Sequence, residues 1–514
     1  AVRAAVDAEA VLAFDRAAML YRRALALVDP ADPEVSGWRE RLGVALANAG
    51  RGADAAEAFV AAAQGTEPGG ADLRRRAAEQ LLRAGHVDRG LDLIDAVLRE
   101  QDLPPLRQVS WAVPRLLLER VKLAIRGRQA EPAELTSAKN LRLACCWSAC
   151  VGAAMTSPVT AAAYQTRHLR LALEAGDPRR IALGLAMEAI GASAAGPPAR
   201  RAHAILAEAD RWATRVNSPE TAGYARMARA TIAFLCGEWR NALTHADEAE
   251  RVFSRECVGC AWEVGTAQRV SLTCLWHMGR IRELAARTAR ALEDAEERGD
   301  LYASTQLRTV LQPNIFLMHH DLPAARAEIE RAAAGLARTA VHLQHWQHMQ
   351  ASALVELYAG TPERAVALID ATLPAVKRAF LFRVLAVRMF TYFVHGTALV
   401  GAAARAGKDP TLIRRARQVR RALTRETGGA HAADLLGAQL AELAGRTDRA
   451  VELYQRARRG FLAVDTNLLA LTCQIRLARL TGDDAAAAAA HAALASEDIA
   501  RPDRLCAMLA PVSQ

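Results

Sequence analysis

Cysteine and histidine side chains in the middle of the chain have the spacing of a metal-binding motif. Cys257 and Cys260 form a Cys-x-x-Cys pair, and Cys274 and His277 follow at a helical i, i+3 spacing. A structural zinc site needs four such ligands in a tetrahedron, and a zinc enzyme needs three with one open position. Cys274 and His277 fall in an apolar helical segment, however, where a small thiol packs as an ordinary hydrophobic group. We therefore expect no metal and no cofactor, with these four residues as the zinc candidates.

Three histidines surround a tryptophan further along the chain. His342, His345 and His348 are three residues apart, with Trp346 between them. On a helix they occupy one broad face that could bind a transition metal or a nucleotide base. The favoured interpretation is a groove between repeats lined with polar aromatic rings. We predict that His342, His345 and Trp346 contact a partner there.

A basic cluster lies between two predicted helices. Arg167 and His168 precede a turn, and Arg179 and Arg180 follow it. These side chains could contact an acidic partner, a phosphate, or another domain of a longer protein. Alternatively, they are charges on helix faces that complement the helix dipole. We predict all four as partner-contact candidates.

Composition limits the possible partners and the compartment. The formal net charge is +10, but the arginines alternate with Asp and Glu, which indicates solvated helix faces rather than a nucleic-acid surface. The nine cysteines lack the spacing of a secreted disulfide scaffold, so reduced thiols in the cytoplasm are expected. Cys145, Cys146 and Cys150 are predicted core residues. No apolar run is long enough for a membrane span, and the run at residues 394–404 is too short.

The elements that must position these residues are repeated helical hairpins. The segment AADLLGAQLAELAGRTDRAVELYQRARRG, residues 432–460, is the clearest copy, with its turn at Gly445. Small residues recur five positions after the turn and seven before it, where two helices must approach closely. The turn glycines are Gly50, Gly85, Gly176, Gly237, Gly279, Gly360, Gly407, Gly445 and Gly482. The small residues after the turns are Ala55, Gly90, Ala242, Ala365, Ala450 and Ala487, and those before are Gly43, Ala78, Ala230, Ala353 and Ala438.

This pattern predicts an all-α, right-handed α-solenoid of about ten hairpins of the tetratricopeptide (TPR) type. We divide the chain into an N-terminal helix and hairpins (1–100), an irregular helical connector (101–160), a C-terminal array (161–500) and a tail (501–514). Residues 484–495 are expected to form a capping helix. The turn at His319 and His320 lacks glycine, and Pro313 predicts a kink in the helix before it.

Several segments resemble the C-terminal TPR region of large bacterial signalling proteins that combine a serine/threonine kinase with a STAND-like, AAA-type ATPase. The run LAFDRAAMLYRRAL at residues 12–25 is similar to the junction where the ATPase passes into repeats. The further segments are CWS at 146–148, QTRHLRLALEAGDPR at 165–179, Trp262-Glu263, RGDLY at 298–302 and RPDRLCAMLAP at 501–511. The resemblance spans nearly the whole chain.

The resemblance implies a regulatory region without catalysis of its own. No Gly-x-Gly-x-x-Gly loop, His-Arg-Asp loop, Asp-Phe-Gly motif or Walker lysine loop is present in the sequence, so no enzyme is expected here. Kinase and ATPase would lie upstream, in a longer parent protein. The repeats would then recognise a protein or peptide in their concave groove, with Trp262 and Glu263 as further contacts. The alternatives are an RNA-binding helical repeat and a small-ligand sensor of a STAND-type ATPase.

Overall fold

A computed structural model describes residues 1–64, 69–106, 111–194, 196–334, 336, 341 and 343–512. These residues form helices α1–α27 and one short 3-10 helix, Leu381–Arg383. The first nine helices are α1 Val2–Ala10, α2 Phe14–Leu27, α3 Val35–Asn48, α4 Gly52–Ala63, α5 Gly70–Arg83, α6 Val87–Glu100, α7 Ala112–Arg126, α8 Ser137–Thr156 and α9 Pro158–Ala175. The next nine are α10 Pro178–Ser193, α11 Arg200–Val216, α12 Pro219–Leu235, α13 Trp239–Arg255, α14 Ala261–Met278, α15 Ile281–Glu297, α16 Leu301–Val310, α17 Gln312–Met318 and α18 Leu322–Ala334. The last nine are α19 Leu343–Ala359, α20 Pro362–Arg378, α21 Leu385–Arg405, α22 Pro410–Arg425, α23 Ala430–Leu443, α24 Thr447–Ala463, α25 Asn467–Thr481, α26 Asp484–Ala495 and α27 Pro502–Leu509.

Consecutive helices pair into hairpins that stack into a solenoid, which confirms the predicted all-α fold class. The first helices of neighbouring hairpins pack on one another, as α10 does on α12 and α21 on α23. The second helices pack outside them. The predicted close contacts are present, because Ala353, Ala365, Ala438 and Ala450 are fully buried. At Gly43, a Cβ atom would lie 2.6 Å from a ring carbon of Phe59.

The hairpin turns follow the predicted glycines, with one correction. Gly445 has φ +72°, the left-handed conformation that ends a helix. At the turn without glycine, His320 takes this conformation with φ +63°. Gly176, however, separates two hairpins instead of lying within one, because α8 pairs with α9 and α10 pairs with α11. The side-chain cap of Ser157 on the Thr160 amide marks the α8–α9 turn, where no glycine is present.

The predicted kink before His319 is confirmed as a break between two helices. α16 ends at Val310, and α17 begins at Gln312 with Pro313 in its first turn. Proline lacks an amide hydrogen and tolerates only this end of a helix, so the first helix of the hairpin restarts there.

Residues 101–160 contain α7, α8 and the first residues of α9, and a stretch without regular structure at 127–136 separates α7 from α8. α8 packs against α5 and α6 on one side and α9 on the other, as a repeat helix does, while α7 lies against α9. The division of the chain at residues 100 and 160 stays a prediction. The expected tail needs correction: α27 buries Leu505, Met508 and Leu509 and contacts α19 and α25, so it closes the array.

The solenoid winds tightly enough for separate hairpins to touch across the superhelix. Trp239 donates to the hydroxyl of Thr466 at 2.9 Å, and the Asn467 amide donates to the Met278 carbonyl at 2.9 Å. The backbone amide of Leu385 donates to the Ala194 carbonyl at 3.0 Å. These bonds join residues about 190 to 230 positions apart and hold the inner face in a fixed shape.

Helix α21, which extends the apolar run at 394–404, is long and apolar enough to cross a membrane by length and composition. Sixty-seven per cent of its most apolar 18-residue stretch is buried within the fold. There the helix packs against α19, α20, α22 and α23. That burial is typical of the core helix of a helical array.

Replacing Ala450 with leucine should destabilise the protein by about 1–3 kcal/mol, because the added atoms have no space between α23 and α24. The midpoint of urea unfolding, followed by circular dichroism, measures the loss. The control is Ala487→Leu, at the same repeat position but half-exposed on α26, the last helix but one. An equal loss in both variants would contradict the close-packing role of this position.

Candidate partner-binding cavity

Four first helices, α5, α8, α10 and α12, enclose a charged cavity on the inner face of the solenoid. Its volume is about 190 Å³. The lining residues are Arg75, Glu79 and Arg83 from α5, Ala144 and Trp147 from α8, Arg179, Arg180 and Leu183 from α10, and Glu220 and Tyr224 from α12. We call this the inner cavity. Its lining combines two aromatic rings and four guanidinium groups with two carboxylates.

Helix α5 presents a row of three charged side chains to the inner cavity. Glu79 accepts from Arg75 at 2.6 Å and from the Ser148 hydroxyl at 2.7 Å, and it pairs with Arg83 at 2.9 Å. Burial alone would raise the pKa of Glu79, but Arg83 and Arg75 outweigh it and hold this pKa at about 2. Glu79 is therefore ionised, and Arg75 and Arg83 balance its charge within the fold.

A second carboxylate supports the same row from behind. Glu263, at the start of α14, is buried and accepts from the Tyr224 hydroxyl at 2.6 Å and from Arg83 at 3.0 Å. Burial and the charge of Glu263 raise the pKa of Tyr224 well above its ordinary value, so its hydroxyl stays a donor. The Arg83 guanidinium lies 5.6 Å from the centre of the Trp262 ring. Trp262 and Glu263 thus fix Arg83, and Glu263 is buried rather than exposed to a partner.

Arg179 and Arg180 occupy adjacent positions on α10 but differ in their partners. Arg179 forms an ion pair with Glu220 at 2.6 Å. Arg180 donates to the Asn140 side-chain oxygen at 2.9 Å, and among the described residues it has no ion pair with a carboxylate. Burial, followed by the charges of Arg179 and Arg75, lowers the pKa of Arg180. Arg180 is therefore the cation of the inner cavity whose charge the fold leaves least compensated.

The other two members of the predicted basic cluster point into the protein. Arg167 is buried, with its guanidinium 3.1 Å from Glu119 and 2.9 Å from the Pro104 carbonyl. It holds the segment before α7 against α9, which corrects its assignment as a partner contact. His168 is also buried, with its ring 5.3 Å from that of Trp147. Burial, with a smaller contribution from Arg180, lowers its pKa to about 3, so the imidazole is neutral.

The histidine cluster around Trp346 does not form a site in the described part of the chain. Trp346 is buried and donates to the Thr391 hydroxyl at 2.8 Å. His348 contacts the Ile329 carbonyl at 3.2 Å, and His345 is half-buried on the same helix, α19. His342 lies outside the described residues. Trp346 is thus a core residue rather than a groove contact, because its indole fills space between α19 and α21.

The four zinc candidates do not converge. Cys260 precedes α14 and Cys274 lies near its end, so a rise of fourteen residue positions along the helix separates them by about 21 Å. Two ligands of one zinc ion lie only about 4 Å apart. Cys260 and Cys274 are therefore too far apart to bind the same ion. His277 is stacked between Trp239 and Phe390, with ring centres 4.2 and 5.1 Å away. Among the described residues, no group of three or more His, Cys, Asp or Glu side chains is placed to hold a metal.

Cys145, Cys146 and Cys150 are buried on α8, as the sequence predicts for core residues. Burial raises the pKa of each thiol to about 12, so these thiols stay protonated and unreactive.

The α5 row and the two aromatic residues of the inner cavity were not predicted from the sequence. A signal for the row is present: Arg75, Glu79 and Arg83 are four residues apart, which aligns them on one helix face. That face lines a cavity only because α8, α10 and α12, which are distant in sequence, pack around it. Trp147 and Tyr224 carry no local signal, since apolar aromatic residues in helices usually belong to the core.

The fold is an all-α solenoid of TPR-like helical hairpins. Among solved structures, the chain is similar to a Rap protein complexed with competence and sporulation factor, with 11% identity, a TM-score of 0.42 and coverage of 83% of this chain and 99% of that chain. It is also similar to yeast Tom70, with 12% identity, a TM-score of 0.35 and coverage of 95% and 98%. A third likeness is to the Naa15/Naa10 complex bound to HypK-THB, with 13% identity, a TM-score of 0.24 and coverage of 96% and 88%. No protein-family model and no curated protein sequence matches the chain. At these identities and TM-scores, the functional interpretation rests on the cavity itself.

Stability should fall with acid partly because His168 is neutral in the folded state. The pKa of His168 in the folded protein, about 3, lies below the ordinary value of 6.5. Its contribution to the free energy of unfolding is therefore fully present above pH 6.5 and is lost as the pH falls towards 3. In His168→Leu, the thermal unfolding midpoint should fall less between pH 7 and pH 4 than in the unmodified protein.

The control for this measurement is His203→Leu, which replaces an exposed histidine on α11. It should keep the pH dependence of the unmodified protein. A parallel pH profile for His168→Leu would show that His168 is charged or exposed in the folded state.

Proposed function

We propose that the chain is a non-catalytic binding scaffold that recognises a protein or peptide segment on its inner face. The observation that supports this most directly is the half-buried Arg180 guanidinium, which lines the inner cavity with Trp147 and Tyr224 and has no carboxylate partner among the residues that the structure describes. A partly buried charge without a counter-ion is unfavourable, and a carboxylate from a partner would offset that cost. The acidic group of a peptide is therefore the ligand chemistry that we assign to the inner cavity.

The size of the inner cavity favours a side chain over a larger ligand. Pockets for drug-sized molecules have volumes of about 300–1,000 Å³. The inner cavity, at about 190 Å³, is smaller and opens onto the concave face. An extended segment could lie along that face and place one acidic side chain beside Arg180. The aromatic rings of Trp147 and Tyr224 would contact its aliphatic part.

The resemblance of the sequence to TPR regions of kinase/ATPase signalling proteins supports a regulatory role. A partner that binds the inner face more tightly in one state of the parent protein would shift the equilibrium between its states. Differential affinity is required, because equal binding to both states shifts nothing. Cysteines such as Cys145 and Cys146, present as buried free thiols, support the proposed cytoplasmic location.

Arg180→Ala should weaken the binding of acidic peptides by about tenfold or more, because it removes a charge-assisted hydrogen bond. A peptide array probed with the purified chain would first select ligands, and fluorescence anisotropy would then measure their affinities. Arg201→Ala is the matched control, because Arg201 is exposed on α11, outside the inner cavity. Selected peptides should lose affinity when their Asp or Glu is replaced by Asn or Gln.

Two outcomes would contradict this function. Selected peptides whose affinity is equal for Arg180→Ala and Arg201→Ala would show that the inner cavity is not the site. Recovery from cell lysate of RNA only, with all protein partners lost on nuclease treatment and at high salt, would support the RNA-binding alternative.

A further inference from the structure

We propose that a basic groove at the other end of the solenoid binds an acidic, leucine-containing segment of a partner protein, independently of the inner cavity. α22, α23 and α24 enclose this space, which has a volume of about 220 Å³. Five arginines surround it: Arg417, Arg420 and Arg421 from α22, Arg446 before α24, and Arg449 within α24. We call it the arginine groove. It lies between two second helices and so faces away from the inner surface.

The positive charge of the arginine groove is mostly uncompensated within the described part of the chain. Only Arg449 has an ion pair there, with Glu452. Arg420 donates to the Ala433 carbonyl at 3.1 Å, a neutral partner. Two neighbouring arginines on these helices are paired with carboxylates: Arg415 contacts Asp370 at 2.6 Å, and Arg456 contacts Asp434 at 3.0 Å. Among the described residues, Arg417, Arg420, Arg421 and Arg446 of the groove have no carboxylate partner.

Backbone features keep the groove open and add to its potential. At Gly437, a Cβ atom would lie 2.6 Å from Nε of Arg420. The absence of a side chain therefore allows the Arg420 guanidinium to lie directly against the backbone of α23. Arg420 thereby reaches the groove instead of solvent. α24 begins at Thr447, directly after Arg446, and the amino end of a helix carries a partial positive charge. Five like charges held close together repel one another, and an acidic ligand would relieve that repulsion.

The floor of the groove decides between classes of ligand. Leu440 and Leu453 line it, and both are largely buried. A nucleic-acid backbone presents phosphates and sugars, which would contact the arginines and leave this apolar floor unused. A peptide with an apolar side chain between carboxylates would use both, the apolar group on the floor and the carboxylates at the rim. Charge and shape together therefore point to an acidic protein segment with an embedded leucine.

Fluorescence anisotropy with a labelled Glu-Asp-Leu-Asp-Glu peptide and the full chain tests this proposal. Because Arg180 could also attract the peptide, the titrations are made in the Arg180→Ala background. There, Arg417→Glu should weaken binding by about tenfold or more. Arg459→Glu makes the same charge change at an exposed site on α24 outside the groove, and it should alter affinity by about twofold at most. Replacing the leucine of the peptide with serine should also weaken binding.

Three results would overturn the proposal. The first is no measurable binding of the peptide at low ionic strength. The second is equal weakening by Arg417→Glu and Arg459→Glu, which would indicate general charge attraction. The third is tighter binding of a single-stranded oligonucleotide than of the peptide, with a steep dependence on salt. None of these results bears on the inner cavity, because Arg180 is absent throughout.

Discussion

The close approach of neighbouring helices is the constraint on which this structure depends. It requires small residues at two fixed positions of each hairpin, and Ala438 and Ala450 occupy them without any exposed surface. Larger side chains there would separate the helices, and the superhelix would widen. The bonds between distant hairpins, such as that from Trp239 to Thr466, form only at the observed curvature. The inner cavity is a consequence of the same curvature, because its four helices meet only in a tight array.

Electrostatics distinguishes the parts of this basic protein that hold the fold from those available for binding. Glu79 and Glu263 each have arginine partners that remain within the chain. Such buried pairs fix the positions of side chains, and breaking one leaves a charge that is costly to bury. Arg180 and the arginine groove depart from this rule. A net charge of +10 therefore does not describe an even basic surface: among the described residues, Arg180 and four arginines of the groove have no carboxylate partner.

The sequence predicts the architecture well because hairpin packing is a local, repeated requirement. Turn glycines and small residues suffice for the fold class, and the proline at position 313 suffices for the break between α16 and α17. The pairing around Gly176 was wrong because a glycine turn looks the same within a hairpin and between two hairpins. The predicted site was partly wrong for a different reason. Whether an arginine such as Arg167 or Arg180 is paired depends on helices distant in sequence, and no spacing reveals that.

Photo-crosslinking from the inner face tests the central claim most directly. A benzoylphenylalanine residue in place of Arg179, which lines the inner cavity, would capture whatever lies there in the source cell. The same residue in place of Arg201, exposed on α11, reports contacts outside it. The account predicts a discrete, nuclease-resistant protein adduct from position 179 and not from position 201. An adduct from position 201 only, or a nuclease-sensitive adduct from position 179, would contradict it.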